Sequence, residues 1–248
     1  MSLFHRRKQQ STDTMTNGAK LITIAHPKSP ISEQFRTIRT NINFMAIDHP
    51  IKSLALTSAN VSEGKSTVTD NVAVVWAQTG QRVLLIDADM RRPTLHATFG
   101  VNNQQGLTTV LTSPSNSIDL RQVIQESGVT NLDILTSGPI PPNPAELLNS
   151  QRMKALLESV KDLYDMVIVD VPPMLEVTDT QILSRYLDAV VLVVKQNQTQ
   201  KLAVKRAVEL LKLAHANLLG YVMNDVNADG DAGYGYGYGY GYGEETDK

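Results

Sequence analysis

The sequence predicts an α/β fold: a mainly parallel sheet with helices on both faces. Three observations predict it. Short apolar runs without polar alternation recur along the chain, helix-length segments separate them, and two of the runs end in aspartate. Strands that lack alternation are buried on both faces, and the connections that bury them are helical crossovers. Sheets of this kind take their ligands at the carboxyl ends of the strands.

With 248 residues, 42% of them hydrophobic, the chain supports one sizeable core and not two full domains. A single domain is expected over residues 18–228, between an N-terminal arm, 1–17, and a C-terminal tail, 229–248. A net charge of -2 gives no general electrostatic reason to expect nucleic acid or an acidic membrane as partner. With no cysteine, disulfides, thiolate metal sites and cysteine nucleophiles are excluded. Arg6, Arg7 and Lys8 have no apolar stretch behind them, so the start does not read as a secretion signal. The longest purely apolar run, Ala189 to Val194, is far below the roughly 20 residues a membrane helix needs.

In order along the chain, the arm up to about Asn17 is rich in Ser, Thr, Gln and Asn without periodicity, the composition of a disordered segment. From Ser29 and Pro30, the recurrence of Phe35, Ile38, Ile42 and Met45 predicts an amphipathic helix ending near Asp48 to Pro50. Strands follow at Ser53 to Thr57, Arg82 to Asp87, Leu132 to Leu135, Met166 to Asp170, Ala189 to Val194 and Leu218 to Met223. Helices are expected over Gly64 to Gln78, Pro144 to Leu163 and Thr199 to Ala214, with Asn143 before Pro144 a favourable helix start. The tail alternates glycine with Tyr234, Tyr236, Tyr238, Tyr240 and Tyr242. It has nothing to bury and reads as mobile.

Between the first strand and the next helix stands Ala59-Asn60-Val61-Ser62-Glu63-Gly64-Lys65-Ser66-Thr67. It fits the phosphate-binding P-loop pattern except that alanine replaces the first glycine, a deviant Walker A sequence. Gly64 lets the backbone approach phosphates, Lys65 reaches the β- and γ-phosphates, and Ser66 offers a hydroxyl to Mg²⁺. The strand ending in Asp87, with Asp89 two residues on, and the strand ending in Asp170 add carboxylates beside this loop. Magnesium takes oxygen ligands and keeps several waters, so these groups can hold it directly or through water. Phosphoryl transfer from ATP then needs mainly positioning and charge neutralisation. Ser66 and Asp170 are assigned to the metal, and Asp87 and Asp89 to the metal or to the incoming nucleophile.

With these residues in place, the chain resembles the bacterial protein-tyrosine kinases of the capsule and exopolysaccharide type, in their soluble Gram-positive form. The resemblance rests on Ser62 to Thr67, on Asp87-Ala-Asp89-Met-Arg91-Arg92-Pro93, on Asp170-Val-Pro-Pro, on Gly138 to Leu148 and on the tyrosine cluster. It implies a P-loop NTPase fold, ATP and Mg²⁺ as cofactors, and autophosphorylation of the five tail tyrosines between subunits. Glu33, Arg36 and Arg39 lie within an arc of about 120° of one helix. By resemblance that motif joins subunits into a ring, although the pattern alone reads as an exposed face. The resemblance further implies a membrane-embedded activator, a cognate phosphotyrosine phosphatase, and a cytoplasmic place at the inner face of the membrane reached through the activator. Asn224, after the last strand, would contact adenine; a strand-end turn residue is the alternative.

The strongest rival is a cytoskeletal-type ATPase for DNA partitioning or division-site placement. That class carries a lysine where this chain has Asn60, and it has no use for a tyrosine tail. An iron–sulfur carrier would need cysteines, and a catalytically idle scaffold would show a damaged phosphate site. Tyr164, Tyr186 and Tyr221 fall in expected structure and are read as poor acceptors.

Overall fold

Seven strands form one sheet in the order β3-β4-β2-β5-β1-β6-β7 in a computed structural model that describes residues 13–46, 50–113 and 120–226. They are β1 (Ser53–Ser58), β2 (Val83–Asp87), β3 (Ile124–Glu126), β4 (Leu132–Leu135), β5 (Met166–Asp170), β6 (Ala189–Lys195) and β7 (Leu218–Asn224). All pair in parallel except β3, which runs antiparallel to β4 at one edge. The central strands β1, β2 and β5 are buried at every position, which is why their sequences show no polar alternation.

Alternate side chains along these strands feed two core layers. On one face, Leu54, Leu56, Leu85 and Ile168 meet Phe35 and Ile42 of α3 (Pro30–Met45) and Val72 and Trp76 of α4 (Lys65–Ala77). On the other, Leu84, Ile86, Val167 and Leu192 meet Leu156 and Val160 of α8 (Gln151–Leu163), Leu183 of α9 (Asp179–Ser184) and Leu211 of α10 (Lys201–Leu213). The remaining helices, α1 (Asp13–Asn17), α2 (Ile22–Ala25), α5 (Leu95–Phe99), α6 (Leu107–Thr112) and α7 (Pro144–Leu148), are one or two turns long.

Local chemistry sets the helix ends. Ser29 is extended and accepts a hydrogen bond from Ser32 N, and Pro30 occupies the first helical position, so α3 starts where the sequence signals. The single helix expected over Pro144 to Leu163 is two. Ser150 takes an extended conformation and accepts from Met153 N, starting α8 afresh after α7. Asp13–Asn17, inside the arm expected to lack structure, forms α1 against α5, anchored where Ala19 N donates to Thr98 Oγ1 at 2.9 Å.

The strand order converges the chemistry. Asp87 and Asp170 are register partners at the ends of β2 and β5, and β1, the neighbour of β5, runs directly into the loop before α4. At the opposite edge, β7 pairs only with β6 and presents its other side unpaired among the described residues.

Candidate active site

The loop from Ala59 to Gly64 turns through two left-handed residues, Ser62 with φ 62° and Gly64 with φ 87°. At Gly64 a side chain would be strained by the left-handed conformation, and its Cβ, 2.0 Å from Asn224 Nδ2, would displace that amide. Asn224 Nδ2 donates to Glu63 O at 3.0 Å, so the end of β7 clamps the loop backbone from above. Glu63 is buried, and its carboxylate accepts from Asn60 N, Asn60 Nδ2 and Thr199 Oγ1 at 3.1, 2.9 and 2.8 Å. Expected among the nucleotide-contacting residues, Glu63 thus spends its carboxylate inside the protein, tying the loop to the β6–α10 connection. Asn60, where the rival class has lysine, is part of the same brace. The sequence motif gave no signal of Thr199, which lies 136 residues away.

At the start of α4, Lys65 Nζ lies 3.1 Å from Asp89 Oδ2, 3.2 Å from Asp170 Oδ1 and 3.1 Å from Ser66 Oγ. Ser66 Oγ donates to Asp170 Oδ2 at 2.7 Å. Burial alone would lower the Lys65 ammonium, but Asp170, Asp89 and Asp87 outweigh it and hold the pKa above its ordinary value. Asp87 uses one oxygen to accept from Thr94 N and Leu95 N at 3.0 and 3.1 Å, fixing the start of α5. Its Oδ1 is buried without a hydrogen-bond partner among the described residues. Burial, followed by Asp170 and Asp89, pushes Asp87 up to about 8. Burial also raises Asp170, against the opposing pull of Lys65.

Asp70, one turn further along α4, escaped the sequence reading although it is the one acidic residue of that helix. It is fully buried, and its pKa is driven well above the usual carboxylate range by that burial and then by Asp170 and Asp87. A site with this many opposed carboxylates is short of positive charge, and an orphaned buried oxygen on Asp87 next to the Ser66–Asp170 pair fits a hard cation. Among the described residues no three His, Cys, Asp or Glu side chains form a closed metal cage. Mg²⁺ keeps several waters and takes further oxygens from phosphates.

The segment after Asp89 is tied down from a distance. Arg91 Nε and Nη2 donate to Asp179 Oδ2 and Oδ1 at 2.9 and 3.1 Å, a two-point contact with a fully buried carboxylate at the start of α9. Next to Asp179, Thr180 Oγ1 donates to Pro172 O, which also accepts from Thr57 Oγ1 of β1. The Asp89 and Asp170 loops are therefore braced through one helix terminus.

Of the α3 motif, Glu33 is exposed and pairs with Arg36, which also donates to Pro27 O. Arg39 turns inward, donating to Val75 O near the end of α4 at 2.8 Å, instead of sharing one open face with the other two. Tyr234, Tyr236, Tyr238, Tyr240 and Tyr242 lie outside the described residues. Tyr164 donates to Asp133 Oδ2, and Tyr221 lies in β7 as expected, with its side chain 68% exposed.

The sheet order, the left-handed glycine before a helix-opening lysine and the carboxylates at adjacent strand ends define a P-loop nucleoside triphosphatase fold. A family profile described as AAA domain matches residues 51–219. Tyrosine-protein kinase YwqD of Bacillus subtilis (strain 168) is 50% identical over 204 residues, covering 82% of this chain and 85% of that protein. Tyrosine-protein kinase CpsD of Streptococcus agalactiae is 37% identical over 196 residues, 79% of this chain and 83% of the other. Among solved structures, the kinase domain of Escherichia coli tyrosine kinase ETK superposes with TM-score 0.81 at 36% identity, covering 90% of this chain and 86% of that one. The chain belongs to the bacterial tyrosine-protein kinase family.

Proposed function

We propose that the chain binds ATP with Mg²⁺ at this site and transfers the γ-phosphoryl group to tail tyrosines of a neighbouring subunit. The observation that supports this reading most is Lys65 Nζ held between Asp89 and Asp170, with Ser66 on Asp170. Ser66, Asp87 and Asp170 are the residues that would hold Mg²⁺, which supplies charge neutralisation at the phosphates. Lys65, already desolvated and charged, is placed to exchange a carboxylate for a phosphate oxygen. Ser62, Gly64 and Thr67 present the loop and the helix N-terminus to the phosphates. Asp89, relieved of Lys65, then takes the proton of the attacking tyrosine hydroxyl as the new P–O bond forms and the bond to ADP breaks. Asn224 lines the edge where adenine would lie.

On the same reading, Glu33, Arg36 and Arg39 join copies into a ring, and tails phosphorylated at Tyr234, Tyr236, Tyr238, Tyr240 and Tyr242 repel one another and loosen it. Each phosphate adds about -1.5 to -2 charges. A cognate phosphatase resets the cycle. No described helix is long and apolar enough to cross a membrane. A membrane-embedded activator would hold the protein at the inner face of the membrane, where the cycle regulates capsule or exopolysaccharide synthesis and export.

Incubation with Mg²⁺ and ATP followed by mass spectrometry tests this. Phosphotyrosine is expected on the tail of the intact chain and absent in Lys65→Met. Equal labelling of a chain lacking residues 229–248 would overturn the acceptor assignment. Phosphate release without protein modification would favour the partitioning-type ATPase instead.

A further inference from the structure

An apolar groove of about 740 Å³ runs between α3 and β7 and reaches the phosphate loop at one end, where Thr67 and Asn224 line it. Ile31, Phe35, Ile38 and Met45 of α3 form one wall, and Val222 and Val226 belong to the other. Ile31, Met45 and Val226 are each about half exposed, so considerable apolar surface faces solvent there. The groove floor adjoins the unpaired edge of β7, where outward-facing N–H and C=O groups have no strand partner among the described residues. An uncovered strand edge beside an apolar groove is a template for one more strand.

We infer that the chain's own unphosphorylated tail, residues 234–242, docks here as an added strand on β7 with its tyrosine rings in the α3 groove. The groove reaches Val226, the last described residue, and the tail follows it directly. Strict Tyr-Gly alternation matches the period of a strand: all five rings fall on one face and the glycines on the other. Val222 packs with the α3–α4 core layer, so a strand continuing the sheet at this edge turns one of its faces into the groove. Lengths agree as well. Nine extended residues span about 30 Å, and the 16 residues of α3 about 24 Å. Between Val226 and Tyr234, the sequence Asn-Ala-Asp-Gly-Asp-Ala-Gly contains an Asp-Gly pair suited to reversing the chain for antiparallel pairing.

The docking depends on the state of the tyrosines. A phenol ring buries its apolar body and leaves its hydroxyl at the rim, whereas a phosphate of about -1.5 to -2 charges in an apolar groove loses its hydration without gaining a partner. Lys20 is the one cationic side chain on the groove wall among the described residues. The groove therefore retains unmodified acceptors and releases modified ones. The release of modified tails rests on the kinase reading, whereas docking of the unmodified tail does not.

Amide hydrogen exchange on the full chain, without nucleotide, tests it against two variants: one with all five tail tyrosines replaced by serine, and Ile31→Glu, at a position 47% exposed. Melting temperatures confirm that both fold. Amides of residues 219–223 and 234–242 are expected to exchange at least ~10-fold more slowly in the intact chain than in either variant, equivalent to about 1.4 kcal/mol. Equal exchange in all three chains overturns the proposal. Protection that grows with protein concentration assigns the groove to a second copy, and protection at residues 219–223 that survives the serine replacements assigns it to another occupant; either result rejects docking of the chain's own tail.

Discussion

Asp87 holds a proton in the folded nucleotide-free chain that an unfolded aspartate gives up near pH 4. Its folded pKa is raised, so its contribution to stability is complete below about pH 4 and is lost as pH climbs through about 8. The melting temperature of the nucleotide-free protein should fall between about pH 5 and 8, and Asp87→Asn should flatten that slope while removing activity. A slope identical in both chains would remove Asp87 as its source. Arg91→Ala leaves the buried Asp179 carboxylate without its two-point partner; because Arg91 itself faces solvent in part, the expected loss is about 1–3 kcal/mol in chemical denaturation. It should also lower kcat more than it raises KM for ATP, since Asp89 loses its anchor, and Arg91→Lys should restore stability better than turnover. Lys65, Ser66, Asp87 and Asp170 converge as the sequence suggests because each ends a strand or stands in the first turn of a helix, and Asp89 follows Asp87 by two residues in the same short string. Asp179 and Thr199 were not legible there, because their significance is a contact across 88 and 136 residues that no local pattern encodes.

At the scale of elements, the phosphate loop owes its shape to neighbours more than to itself. Thr199 Oγ1 donates to Glu63 and accepts from Lys195 N, joining the loop to the end of β6. Thr199→Val should raise KM for ATP several-fold and cost about 1–3 kcal/mol by leaving Glu63 short of a donor. Wild-type kinetics in that variant would show that the brace is dispensable. Gly64→Ala drives a Cβ into Asn224 at a residue with φ 87°, so calorimetry should detect no ATP binding. The six strands read from the sequence correspond to observed strands within a residue or so, because doubly buried parallel strands spell continuous apolar runs. The short β3, at three residues, is too brief for any periodicity, and the break between α7 and α8 is set by one serine's extended backbone inside a helix-favouring stretch.

For the whole molecule, α3 is the element that joins surface to site: its Glu33–Arg36 pair faces outward while Arg39 holds the end of α4, the helix that Lys65 begins. Replacing Glu33, Arg36 and Arg39 by alanine should yield monomers in light scattering, and loss of the Arg39 bond to Val75 O should soften α4 as well. An unchanged mass would reject α3 as the subunit contact. The central claim, phosphoryl transfer from this site to the tail of another subunit, is tested most directly by mixing two silent halves. One chain is Lys65→Met with its tail intact, and the other has an intact site but lacks residues 229–248. With Mg²⁺ and ATP, the account expects phosphotyrosine to form on the Lys65→Met chain only in the mixture. Its absence there, while the intact chain labels itself, would contradict transfer between subunits.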